Sequence, residues 1–341
     1  YHYKEPKSWM LEILKEQILW YKPDIIYAST VSTFPDYLID EIKEKLDHPC
    51  LWVSYYGMKS ENVKHDFKKF DIVLTGWNQC LIELKESKIP CKLFPQYVDD
   101  GIAKKVLNNN KKDIDFSFIG NISIGGEEFN QRREYIKLLI KHCGLRLWAP
   151  LLKENCSQRE YYRLKYHAFF YDLFHHIKAS RLSSLIPLMG FLNKYQNWSR
   201  RPNPSVYIHP KIAKSCNAPV YGADMYHLLR RSNLTFNSYT RIDANKGKVP
   251  YVAGNIRLFE ATGVGTCILT QHTDDLDFFF KPDEEVAVYR TINEAISKAK
   301  YLLANDSERN RIASAGMKKT WENHTASIRA KQFVEIIEEY I

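Results

Sequence analysis

Gly254 and Asn255 stand at the mouth of a stretch with helical spacing, followed by Arg257 and, one turn further on, by Glu260. The first turn of a helix exposes unpaired N–H groups and a partial positive charge, and a glycine there lets a phosphate approach closely. Arg257 would add a full charge to a diphosphate, and Glu260 could accept hydrogen bonds from two ribose hydroxyls. The same spacing also describes an ordinary ion pair between successive turns of a surface helix. A second glycine, Gly120, followed by Asn121, closes a buried-strand pattern over residues 115–119, the place where open α/β sheets bind ligands.

A histidine or a carboxylate can act as general base on a substrate group within hydrogen-bond reach. His65 and Asp66, after the polar loop 57–64, are the candidate pair for that role. His175, His176, His209, His272 and His324 lack the spacing of a metal site or a triad. The adjacent carboxylates Asp99–Asp100 and Asp274–Asp275 read as turns and caps, and no metal is expected. Arginines, lysines and helix N-termini can neutralise a departing diphosphate without a cation.

Positioning such groups requires a sheet with helices around it. Helical periodicity over residues 8–21, 37–46 and 79–87 alternates with short apolar runs at 25–28, 51–54, 71–75 and 91–94. This is an α/β pattern with a parallel sheet, and the strand that usually opens such a domain is expected upstream of Tyr1. Residues 100–113 carry Asn108–Asn109–Asn110 and several lysines and read as an exposed linker. A second α/β unit follows, with strands at 115–119, 145–148, 234–237, 267–270 and 286–289 and helices over 128–142, 292–303, 307–322 and 326–340. Asn305, Asp306 and Ser307 offer caps for the penultimate helix. The expected division is 1–108 and 109–325, with residues 326–341 packing back on the first domain.

Residues 157–203 interrupt the second unit as a helical insertion rich in Tyr and Phe. Its aromatic and basic face could meet an acceptor or lipid, but aromatic residues at helical spacing are more often packed core, and core is the expectation here. The composition is that of a soluble globular chain: 45% hydrophobic, with no apolar run long enough to span a bilayer. The net charge of +9 suits anionic partners. The basic residues are dispersed and no zinc-finger or RNP-like pattern occurs, which argues against nucleic acid. Seven scattered cysteines without a Cys-x-x-Cys pair fit reduced thiols in a cytoplasmic setting, with peripheral contact at the inner membrane left open.

The stretch from Gly254 through Gly263–Val264–Gly265 to Thr270, followed by Asp274–Asp275–Leu276, Glu285–Val286, residues 307–316, His324–Thr325 and Arg329, resembles the CgeB-like (spore-maturation-type) glycosyltransferases. These belong to the group-one glycosyltransferases of GT-B fold. The likeness is strong from about Pro219 to Phe333 and looser from Tyr21 to Asp99. It implies two facing Rossmann-like domains, a nucleotide-diphosphate sugar as donor substrate, no cofactor, and a glycan, lipid-linked or protein acceptor in a bacterial cell-envelope pathway. Glu260 resembles the ribose-binding glutamate, Arg257 the phosphate-side arginine, Gly120–Asn121 the diphosphate loop, and Tyr221–Gly222 the turn that reads the base. Related retaining enzymes carry a second glutamate at the position of Ala253, so contact to sugar hydroxyls falls instead to Asn237 or Asn255; retention versus inversion stays open, and His65 and Asp66 are required as a base only if the reaction inverts. A GT-B epimerase or hydrolase, or a non-catalytic binding module, would use the same pocket.

Overall fold

Four short apolar strands make the first sheet: β1 (Ile25–Ala28), β2 (Leu51–Tyr55), β3 (Ile72–Thr75) and β4 (Cys91–Leu93). They pair in parallel, in the order β1-β2-β3-β4. In this computed structural model the described residues are 8–29, 34–57, 67–108, 111–122, 128–151, 156–179, 192, 195, 198, 201, 208–239 and 255–341. Because strand order follows chain order, right-handed crossovers leave their helices on one face. There, α1 (Ser8–Tyr21), α2 (Asp36–Lys45) and α3 (Asn78–Glu86) pack Ile18, Leu38, Ile39 and Leu84 against Ile26, Trp52 and Val73.

The opposite face of that sheet is met by the far end of the chain. Helix α12 (Ala326–Glu338) sets Ile336 and Ile337 against Val53, Ile72 and Leu74. Two chain segments cross beside each other at its start. Val98 N–H donates to the His324 carbonyl at 2.9 Å, and Ala326 N–H to the Val98 carbonyl at 2.9 Å. Ser327 N–H and Oγ both reach the Asp100 carboxylate, at 3.1 and 2.9 Å.

The second sheet holds β5 (Ile114–Ile119), β6 (Arg146–Trp148), β7 (Cys216–Asn217), β8 (Ser232–Asn237), β9 (Cys267–Gln271) and β10 (Ala287–Tyr289). Its order is β10-β9-β8-β5-β6-β7, all parallel. The chain winds outward from β5 through β6 to β7, then returns to the other side of β5 for β8, β9 and β10. The order therefore reverses between β5 and β8, and open sheets of this kind leave a crevice beyond the carboxyl ends of the strands at that point.

One face of the second sheet packs on α5 (Glu128–Cys143), α7 (Pro210–Ser215) and α10 (Ile292–Ala304), with Phe116, Phe236 and Tyr289 at its centre. The other face packs on α4 (Asp100–Leu107), α8 (Gly222–Arg231) and α9 (Ile256–Gly263) through Val106, Leu229, Leu258 and Phe259, while α11 (Asp306–Asn323) joins both clusters, with Trp321 in this one and Ile312 and Ala313 in the first. Gly316 lets α11 lie close to the strand region: a Cβ there would collide with the Glu285 carbonyl oxygen.

Several sequence expectations need correction. Residues 100–107 form a helix rather than a linker, because Ala103 and Val106 share an apolar face with Ile102, and Asp99 Oδ1 caps the Ile102 N–H at 2.9 Å. Lys104 and Lys105, which help give this segment its linker composition, lie on the helix's outer face, while Lys112 beyond it donates to the Ser232 carbonyl at 2.8 Å. Asn305 does not cap α11 through its side chain; its amide donates to the Tyr301 carbonyl at 2.7 Å, closing the preceding helix instead. Helix α7 and the two-residue β7 are too short for a periodic signal.

The aromatic insertion contains α6 (Gln158–Ala179), and its rings are not all core. Phe174 is buried against Leu192 and Tyr195, but Tyr162, Tyr166 and Phe169 are exposed. A helix with aromatic residues all round can bury only the side that meets its neighbours.

Candidate functional site

A helix that feeds a parallel strand runs antiparallel to it, so its N-terminus lies at the carboxyl edge of the sheet. Helix α8 feeds β8 and α9 feeds β9, which brings Gly222 and Asn255 to the same edge as Gly120, Asn121 and Asn237. The structure links these positions through side chains. Asn255 Oδ1 accepts the Leu258 N–H at 3.3 Å and caps α9. Its amide donates to Asn237 Oδ1 at 3.0 Å, and Asn237 Nδ2 reaches Thr270 Oγ1 at 3.0 Å. The two asparagines proposed for sugar contact are thus committed to each other in this state, and they tie the mouth of α9 to the end of β8.

Arg132, on α5, joins the other half of the crevice. Its Nη1 donates to the Asn121 carbonyl at 2.9 Å and its Nη2 to the Ser238 carbonyl at 2.5 Å, so one guanidinium spans the ends of β5 and β8. Burial lowers its pKa to about 10. Sequence reasoning missed this residue, since nothing in residues 128–143 shows which arginine turns toward the strand ends.

Arg257 and Glu260 contact each other. Arg257 Nη1 lies 2.9 Å from Glu260 Oε2, with side-chain exposures of only 16% and 7%. The pair is neither an open clamp nor a surface ion pair; it is a buried one. Met225 Sδ sits 2.7 Å from the same nitrogen. Burial raises the carboxyl pKa of Glu260 while Arg257 opposes the rise, and burial lowers that of Arg257. Glu260 Oε2 faces the cation, is shielded from solvent and receives no well-directed hydrogen bond.

Tyr221 and Gly222 open α8, one turn before Met225. Gly222 has φ +52°, a left-handed conformation in which any side chain is strained, and Tyr221 is 69% exposed. Tyr226, on the same helix, accepts the Asp99 N–H at 3.2 Å and so connects this edge to the chain crossing.

The first domain reaches the same edge. The buried carboxylate of Asp275, in the loop after β9, accepts the Gln79 N–H at 3.4 Å, which caps the first turn of α3 across the two sheets. Burial raises its pKa, with the amide hydrogen bond pulling the other way. Asp275→Ala is expected to cost about 1 kcal/mol, as lost caps do, and to enlarge the radius of gyration in solution scattering. Asp274→Ala, at an exposed position, should leave both unchanged. Among the described residues no three His, Cys, Asp or Glu side chains gather as a cation site. Gly254, Ala253 and the proposed base pair His65 and Asp66 lie outside the described residues.

Residues 174–335 match the sequence family described as glycosyl transferase-like. No curated protein matches the chain in sequence. Among solved structures, sucrose-phosphate synthase from Thermosynechococcus elongatus aligns with a TM-score of 0.58 at 13% identity, over 99% of this chain and 80% of that one. The E. coli trehalose-6-phosphate structure bound with UDP-2-fluoro glucose aligns at 0.61 with 10% identity, over 98% and 78%. Anabaena HepE in complex with UDP aligns at 0.59 with 9% identity, over 97% and 82%. At such identities the likeness is one of fold. The chain has the GT-B arrangement, two α/β domains with parallel sheets, and the glycosyl transferase-like segment covers most of the second.

Proposed function

We propose that this chain is a glycosyltransferase that binds a nucleotide-diphosphate sugar at the carboxyl edge of the second sheet and transfers the sugar to a glycan, lipid-linked or protein acceptor held by the first domain. The observation that carries the reading is the Arg257–Glu260 pair beside the capped mouth of α9, a carboxylate standing at the carboxyl edge of the second sheet. Two ribose hydroxyls need such an acceptor. The diphosphate needs positive charge, which the N-termini of α8 and α9 and the guanidinium of Arg132 supply at the switch point without a metal ion. Support for the donor class comes from the fold neighbours, one of which holds UDP and another UDP-2-fluoro glucose. The motifs from Gly254 to Arg329 favour the CgeB-like branch of the group-one enzymes.

In the reaction the acceptor hydroxyl oxygen attacks the anomeric carbon and gives up its proton to a base in the cleft or to the departing phosphate, the bond from that carbon to the β-phosphate oxygen breaks, and the nucleoside diphosphate leaves with the electron pair. The decisive assay incubates the chain with UDP-, GDP- and dTDP-sugars and identifies the products. Release of nucleoside diphosphate coupled to a glycosylated acceptor supports transfer. A free sugar or an epimerised nucleotide sugar as the sole product would overturn it.

A further inference from the structure

Helix α6 (Gln158–Ala179) is apolar on two sides, and only one of them is packed. Phe174, Leu192 and Tyr195 form the buried side, fastened by the hydrogen bond between His167 Nδ1 and Tyr195 Oη at 2.8 Å. On the other side Tyr162, Tyr166 and Phe169 follow at helical spacing and are 52%, 53% and 61% exposed. Contiguous exposed aromatic side chains on a soluble domain mark a contact surface.

The charges around this stripe say what it contacts. Arg159, Arg163 and Lys165 flank it and are all exposed. The acids on α6 are Glu160 and Asp172, and each is matched by an arginine: Arg163 lies 2.7 Å from Glu160 and Arg201 2.8 Å from Asp172. Tyrosines suit the boundary between headgroups and acyl chains, and long basic side chains lay their stems on apolar surface while their heads reach phosphate. In sequence, α6 runs on into the most apolar stretch of the chain, with Leu182, Leu185, Ile186, Leu188, Met189 and Phe191. No described helix is long and apolar enough to cross a bilayer, so a lipid contact here is peripheral.

We propose that the Tyr162–Tyr166–Phe169 face of α6 docks the protein on an anionic lipid surface. The proposal is independent of the donor site. Its test is co-sedimentation of the full chain with phosphatidylcholine vesicles, and with the same vesicles in which a third of the lipid is phosphatidylglycerol. The chain is expected to bind the mixed vesicles, to bind the neutral ones far less, and to release as salt is raised. Tyr162→Ser/Tyr166→Ser/Phe169→Ser should lose about tenfold or more in affinity. Arg159→Gln/Lys165→Gln should lose about fivefold per charge. Both variants should keep the thermal midpoint of the parent, since the replaced side chains are exposed. Failure of the parent to bind the mixed vesicles, or equal binding by the aromatic variant, would overturn the proposal. So would self-association of the parent that the aromatic variant abolishes while vesicle binding persists.

Discussion

Glu260→Ala is expected to lower the unfolding free energy by about 3–5 kcal/mol and to remove nucleotide binding in the same step. The stability loss follows from burial: the Arg257 guanidinium sits 2.9 Å from Glu260 Oε2, with Met225 and the core of the second domain around it. Removing the carboxylate leaves that cation without its counter-charge in a desolvated place. Arg257→Met/Glu260→Leu removes both charges and should recover much of the loss, because apolar pairs often replace buried ion pairs at little cost. Urea unfolding of the two single variants and the double gives the coupling energy. A double variant as unstable as the sum of the singles would mean that the pair does not act as a unit. Glu260→Gln keeps the shape and removes the charge, and is the variant with which donor binding is best measured.

Acidification is expected to weaken the fold through His324. Its Nδ1 accepts from Arg329 Nη2 at 2.7 Å, and since arginine can only donate, the ring is neutral with its proton on Nε2. The ring packs on Phe259, Phe279 and Phe280. Burial, with the Arg329 charge adding to it, pushes the His324 pKa down from 6.5 to about 3. With the folded value below the unfolded one, the unfolded chain takes up the proton first as pH falls. The contribution is whole above pH 6.5 and declines by up to about 1.4 kcal/mol per pH unit toward pH 3, roughly 5 kcal/mol in all. Stability measured from pH 7 to 4 should fall steeply in the parent chain and less steeply in His324→Asn. Parallel slopes would remove His324 from the account. The ring sits at the crossing of Val98 and Thr325, so the loss should also appear as loosening between the domains.

The strands were legible because fully buried parallel strands are unbroken apolar runs: residues 72–75 and 267–270 can hardly be anything else in an alternating α/β chain. Helix α4 was hidden by its lysines, since its apolar face is only Ile102, Ala103 and Val106 and its capping residue lies before the polar stretch. The site was legible in its local parts. Gly222, Asn255, Arg257 and Glu260 owe their places to the turn and cap chemistry of their own helices. What spacing does not carry is the partner from a distant segment. Met225 meets the Arg257–Glu260 pair from α8, Arg132 reaches the end of β8 from a helix far earlier in the chain, and Asp275 caps a helix of the other domain. The exposed rings of α6 failed for the same reason. Periodicity shows that a face is aromatic, and only the neighbours decide whether it is covered.

The central claim is that a nucleoside diphosphate binds against Glu260 at the carboxyl edge of the second sheet. Thermal unfolding of the parent chain and of Glu260→Gln with UDP, GDP, dTDP and CMP tests it most directly, since a ligand at about 100 times its dissociation constant stabilises by about 2.7 kcal/mol. At least one diphosphate should raise the midpoint of the parent, with the rise largely lost in Glu260→Gln. No shift with any of the four, or an equal shift in both proteins, would contradict the account.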